Sequence, residues 1–181
     1  MEAVDTLNLK VTAIDRVCAA GEAFGQNCQK ENKIPVFSCE GGCIKGEIAR
    51  QAANLVAASD GYARACHGEL FTVPHADLSK WIRDSEKVVL IDGCSLFCHS
   101  RVAEHIIDKD RLVVFDALSI HRKYANLMSV DDVPEDERKL AAKKVADKVL
   151  SNMVEGVPCC SEQISCNFDS NAQPEKSCCP I

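Results

Sequence analysis

Nothing in this 181-residue chain reads as a membrane span or an export leader. A transmembrane helix needs about 20 apolar residues in succession, and no run approaching that length occurs. Met1 to Lys10 mixes Glu2 and Asp5 with short apolar stretches, where a secretory signal would place basic residues before an apolar block. A basic excess is also missing. With 27 acidic residues against 21 Lys and Arg, the formal net charge of −6 argues against general nucleic-acid binding and against attachment to anionic membranes. The expected setting is the cytoplasm. The length suits one domain with a sizeable core.

What the chain has in excess is cysteine, twelve in all. A reducing cytosol disfavours disulfides, so clustered thiols point to metal binding or redox chemistry. Cys18 and Cys28 stand apart and suit buried small hydrophobes. The other cysteines cluster beside glycines and polar residues.

Apolar patterning separates a core from a tail. Pro35 to Cys39, Tyr62 to Cys66, Lys87 to Asp92 and Arg111 to Asp116 read as strands. Helical spacing links Ile44, Ile48, Ala52, Leu55 and Val56, and a second helix carries Leu78, Trp81 and Ile82. A third holds Leu96, Val102, Ala103, Ile106 and Ile107, and another spans Val11 to Phe24. Pro134 followed by Glu135, Asp136 and Glu137 starts a long helix whose stripe is Ala142, Val145, Ala146, Val149, Leu150 and Met153. Strands alternating with helices imply an α/β fold, a small Rossmann-like or flavodoxin-like three-layer domain with about four parallel strands over residues 1–155. Residues 156–181 hold five cysteines among polar residues and are expected to form a flexible tail.

Two strand–helix junctions repeat one layout. Cys39 and Cys94 end strands, and Cys43 and Cys98 follow four residues later, where the next helix begins. In an open parallel sheet, ligand sites form beyond the carboxyl ends of the strands, where strand order reverses. Cys66 ends the second strand on the same edge. Helix N-termini and loop amides favour the thiolate, and Gly41, Gly42 and Gly93 permit close backbone approach. Four thiolates suit zinc or an iron–sulfur cluster. His67 and His99 adjoin candidate ligands and could coordinate metal or tune a thiolate; neighbours on a helix diverge, so His99 is expected in an outer position or exposed. His75 and His121 are expected at the surface, and Asp92 is balanced between a helix cap and a functional role.

Cys39-x-Gly41, Gly46, Ala49-x-Gln51-Ala52-Ala53 and Ile91-Asp92-Gly93-Cys94-x3-Cys98 together resemble the DGC family, over about residues 35–118. That family is named for its central Asp-Gly-Cys motif and is described as zinc-binding from four recurring cysteines. The resemblance implies that those cysteines are Cys39, Cys66, Cys94 and Cys98 here. Cys43 stands where the family has a small polar residue, so Cys43 or Cys66 is left as the fourth ligand.

A thiol enzyme is the competing class. Disulfide reduction of the thioredoxin type lacks its Cys-x2-Cys, and a low-molecular-weight phosphatase would need Cys-x5-Arg. Cys39 has Lys45 at that distance and Cys94 has Ser100, with Arg101 one place further. Sulfur transfer by a single accessible thiolate stays open. In the tail, Cys159, Cys160 and Cys166 have a spacing similar to that of some arsenite-responsive repressors. Adjacent Cα atoms lie about 3.8 Å apart, which hinders oxidation within a vicinal pair and leaves three thiols for trivalent arsenic or antimony. The alternative is a tail with incidental cysteines. The expected partner is thus a metal or metalloid ion, and no protein partner is indicated.

Overall fold

The computed structural model describes residues 10–155. Strands β1 (Ile34–Ser38), β2 (Tyr62–Arg64), β3 (Val88–Asp92) and β4 (Leu112–Asp116) form one parallel sheet in the order β2-β1-β3-β4. The helices are α1 (Ala19–Lys30), α2 (Ile44–Ala57), α3 (His67–Thr72), α4 (Asp77–Asp84), α5 (Cys98–Ala103), α6 (Ala117–His121) and α7 (Glu135–Glu155).

Successive strand residues feed two separate cores, because side chains alternate across a strand. Val36, Val89, Ile91 and Phe115 pack with α2 and α7, while Phe37, Val88, Leu90, Leu112 and Val114 pack with α1, α3, α4 and α5. Helices on both faces make this a three-layer α/β domain of the flavodoxin-like kind. They also explain the unbroken apolar run Val88-Val89-Leu90-Ile91, since neither face of a central parallel strand meets water. Small residues let α2 and α7 approach closely: Ala49, Ala52 and Ala53 on one, Ala141, Ala142 and Ala146 on the other, are all buried. On the opposite face Trp81 is fully buried, and its indole N–H donates to the Lys33 carbonyl at 2.9 Å. No helix among the described residues is long and apolar enough to cross a membrane.

Several elements differ from the sequence expectation. The first helix begins at Ala19 rather than Val11, capped by Cys18, whose sulfur accepts the Gly21 N–H. Cys18 is therefore exposed, whereas Cys28 is buried as expected. Val11, Ile14 and Val17 are exposed, so their spacing did not signal a buried helix face. β2 stops at Arg64, and Cys66 caps α3, a six-residue helix too short to show a period. The helix after Cys94 waits until Cys98, because Phe97 adopts a left-handed conformation with φ 50° that turns the chain first.

Candidate functional site

The chain runs from β1 outward to β2 and then crosses back to β3, so the loops leaving β1 and β3 diverge from adjacent strands. That is the crevice where ligands bind in open α/β sheets. The Cys39 N–H donates to the Ile91 carbonyl at 2.9 Å, which carries the β1–β3 pairing one residue past β1 and fixes Cys39 at the crevice.

The Cys39 sulfur is half-buried and accepts the Gly41 N–H at 3.3 Å, with the Gly93 N–H also directed to it. Burial pushes this thiol up; the two amides oppose that, and the charges of Asp92 and Cys43 add to it. At Cys39 desolvation outweighs the two N–H groups, so loop amides alone do not lower this thiol. Glycines hold the two loops together. A Cβ on Gly46 would lie 2.3 Å from the Gly41 carbonyl oxygen, and one on Gly93 would lie 2.9 Å from the Gly46 nitrogen. Gly42 faces open space, so close approach is not the reason for a glycine there.

Cys94 and Cys98 lie at the end of β3 and the start of α5, the first half-buried and the second exposed. Asp92 is buried under them. Its carboxylate accepts the N–H groups of His99 at 3.2 Å and Ser100 at 3.1 Å, together with the Ser100 hydroxyl. Asp92 is thus a helix cap that orients Cys98 and His99.

The β2–α3 junction supplies the third side. Cys66, at the α3 N-cap, is exposed. Behind it the Arg64 guanidinium donates to the Val36 carbonyl at 2.9 Å, to Glu40 at 2.6 Å, to the Asn54 side chain at 3.0 Å and to the Ser38 hydroxyl. Burial pulls Arg64 down, and the paired Glu40 carboxylate opposes this. His67 of α3 and His99 of α5 meet edge to face, with ring centroids 4.6 Å apart, against Phe37 and Phe71. The His67 Nδ1 and His99 Nε2 atoms are buried and find no hydrogen-bond partner. Burial lowers both imidazoles, so they are held neutral, the state in which imidazole binds metal.

The sheet thus brings Cys39, Cys43, Cys66, Cys94 and Cys98 to one edge, and the two histidines link the Cys66 and Cys98 junctions. Among the described residues, no group of three or more His, Cys, Asp or Glu side chains is already gathered as an ion would require. Cys159, Cys160 and Cys166 lie outside the described residues. Sequence reasoning missed the Ser38–Glu40–Arg64 network and the contact between the half-buried His67 and His99. An arginine within a strand of three residues was the available signal for the first. His121, expected at the surface, is buried beside α7.

No curated protein and no solved structure matches the chain. The model of the DGC domain matches residues 35–152, which carries the resemblance past residue 118 through the rest of α6 and nearly the whole of α7. That span takes in all four strands, the three junctions and the Asp92-Gly93-Cys94 motif. The chain belongs to the DGC domain family.

Proposed function

We propose that this domain binds a metal ion, zinc in the first place, through thiolates at the crevice edge, with Cys39, Cys94 and Cys98 as ligands and Cys43 or Cys66 completing the set. The observation that carries this reading is the parallel pairing of β1 with β3 at the point where strand order reverses, which puts both Cys-x3-Cys junctions on one edge. The donor chemistry fits. A buried thiol, short of compensating charge, gains a cation in place of its proton, and two neutral imidazoles with unpartnered nitrogens stand beside Cys66 and Cys98. Bound zinc would supply an anchor joining the junctions, held by Cys39, Cys94 and Cys98 with Cys43 or Cys66. An iron–sulfur cluster is the alternative occupant for the same thiols. A separate tail site for trivalent arsenic at Cys159, Cys160 and Cys166 belongs to the same proposal, as does a reducing, cytoplasmic setting.

A thiol enzyme is the second reading, favoured by the exposure of Cys66 at the start of α3. Phosphoryl transfer at Cys39 is disfavoured. The Lys45 ammonium, at the place of the required arginine, donates to the Ala125 carbonyl at 3.0 Å, and the Ile44 N–H donates to the Met128 carbonyl at 3.1 Å.

Metal analysis of the full chain purified without oxygen tests the proposal, with Cys159, Cys160 and Cys166 replaced by serine to isolate the core. One ion per chain is expected, lost together with stability in Cys39→Ser, Cys94→Ser and Cys98→Ser. Three variants with the parent's metal content and melting temperature would overturn the ligand role. Metal-independent loss of a thiol activity in Cys66→Ser, with stability unchanged, would establish the enzyme reading.

A further inference from the structure

A pocket of about 400 Å³ lies between the end of α6 and the first half of α7, lined by His121, Lys123, Glu137, Leu140, Lys144 and their neighbours. It shares no residue with the cysteine edge. His121 is only 4% exposed. Its Nδ1 accepts the Lys123 N–H at 3.1 Å, which places the ring proton on Nε2, and that buried Nε2–H has no acceptor. The charges around it divide unevenly. Lys143 pairs with Asp147 at 2.6 Å, and Glu137 accepts the Tyr124 hydroxyl at 2.5 Å. Lys144 has no ion-pair partner among the described residues; neither does Lys123, whose ammonium lies 6.0 Å from the Tyr124 ring. Burial, together with the Lys144 and Lys123 charges, pushes His121 down to about 4, so the ring is neutral near pH 7. The three ammonium groups of the pocket outnumber its two carboxylates, Glu137 and Asp147, so the excess charge attracts an anion, and the waiting N–H needs an oxygen acceptor. Leu140 and Ala141 add an apolar wall.

We propose that this pocket binds a small organic oxyanion, a phosphate monoester with an apolar body. The His121 Nε2–H donates to one anionic oxygen, Lys123 and Lys144 neutralise the charge, and Leu140 and Ala141 cover the apolar part. The pocket lies outside the thiol site, so the proposal does not depend on the metal reading.

The test is a ¹H–¹⁵N NMR titration of the full chain at pH 7 and constant ionic strength, first with inorganic phosphate and then with phenyl phosphate. Saturable shifts are expected at the His121 ring and at the amides of 121–124 and 140–144, at lower concentration for phenyl phosphate. The double variant Lys123→Glu/Lys144→Glu, which changes only polar positions at the pocket, is expected to keep the parent's spectrum elsewhere and to bind at least tenfold more weakly. Equal affinity for the two probes would overturn the organic part of the proposal and leave free phosphate as the source of the anion. No saturable shift with either probe, or unchanged affinity in the double variant, would overturn the site itself.

Discussion

The β1–α2 and β3–α5 junctions share a spacing, yet the chain builds them differently. At the first, loop amides turn toward sulfur: Gly41 and Gly93 both present N–H groups to Cys39, and Cys43 begins α2 without any side-chain hydrogen bond. At the second, the amides turn toward the carboxylate of Asp92, which takes two N–H groups and a hydroxyl while Cys94 and Cys98 take no part. The cysteine-free β4–α6 junction follows the second pattern on a smaller scale, with Asp116 accepting the Ser119 N–H. Sulfur is a weak acceptor and a carboxylate a strong one. The first junction is therefore held by backbone packing between glycines, and the second by a buried charge-assisted cap. Repetition in sequence marks a shared location on the sheet edge, not a shared construction.

The packing account of the first junction faces the severest test. Gly46→Ala sets a Cβ 2.3 Å from the Gly41 carbonyl oxygen, and two backbones must part to admit it. A loss of about 3 kcal/mol or more is expected from urea unfolding. A loss below about 1 kcal/mol would mean that the glycine seam does not hold the loop.

Asp92→Ala probes the second junction. It leaves the His99 and Ser100 amides and the Ser100 hydroxyl without their acceptor, at an expected cost of about 2–3 kcal/mol. Faster amide exchange at Ser100 should accompany it. Asp116→Ala, which frees the Ser119 and Leu118 amides but no hydroxyl, is expected to cost less, about 1 kcal/mol. Equal costs would erase the ranking of the two carboxylate caps.

The end of α6 gives the cysteine-free region a pH signature. His121 is pushed down to about 4 when folded, below the ordinary value, so acid protonates the unfolded chain first. Its contribution is complete above about pH 6.5 and is lost as the pH falls toward 4, a change of roughly 2–3 kcal/mol. Urea titrations between those limits should show a shallower loss in His121→Gln than in the parent. Parallel curves would place the buried histidine's charge cost elsewhere.

The smallest effect separates thiol chemistry from structure at the first junction. Cys43 occupies the α2 N-cap with φ −103° and ψ 162° but makes no cap bond. Cys43→Ser should supply one and stabilise the metal-free protein by about 0.5–1 kcal/mol. If Cys43 is the fourth ligand, the same variant binds zinc more weakly, so stability and affinity move in opposite directions. Unchanged zinc affinity assigns the fourth place to Cys66.

Much of this arrangement was legible before any fold was known. Three strands ended where their apolar runs ended, because a parallel strand covered by helices on both faces must be apolar on both. Cysteine at the ends of β1 and β3 then located the edge. α3 and α6 were not legible, since helices of six and five residues complete too few turns to show a period. The first helix was misplaced by apolar residues that face solvent.

By itself, then, the sequence determined the α/β class, the ends of β3 and β4 and the shared edge of the five core cysteines, because periodicity and junction spacing are local properties of the chain. The tertiary structure alone decided what surrounds those residues. Arg64 is joined to Ser38 and Glu40 across β1 and β2, His67 meets His99 from separate helices, and buried His121 lies beside α7. Each depends on groups brought together from distant parts of the chain. Burial of the Cys39 thiol has the same origin: two loops close over it because three glycines let their backbones touch, and desolvation follows from that contact rather than from any neighbour in sequence.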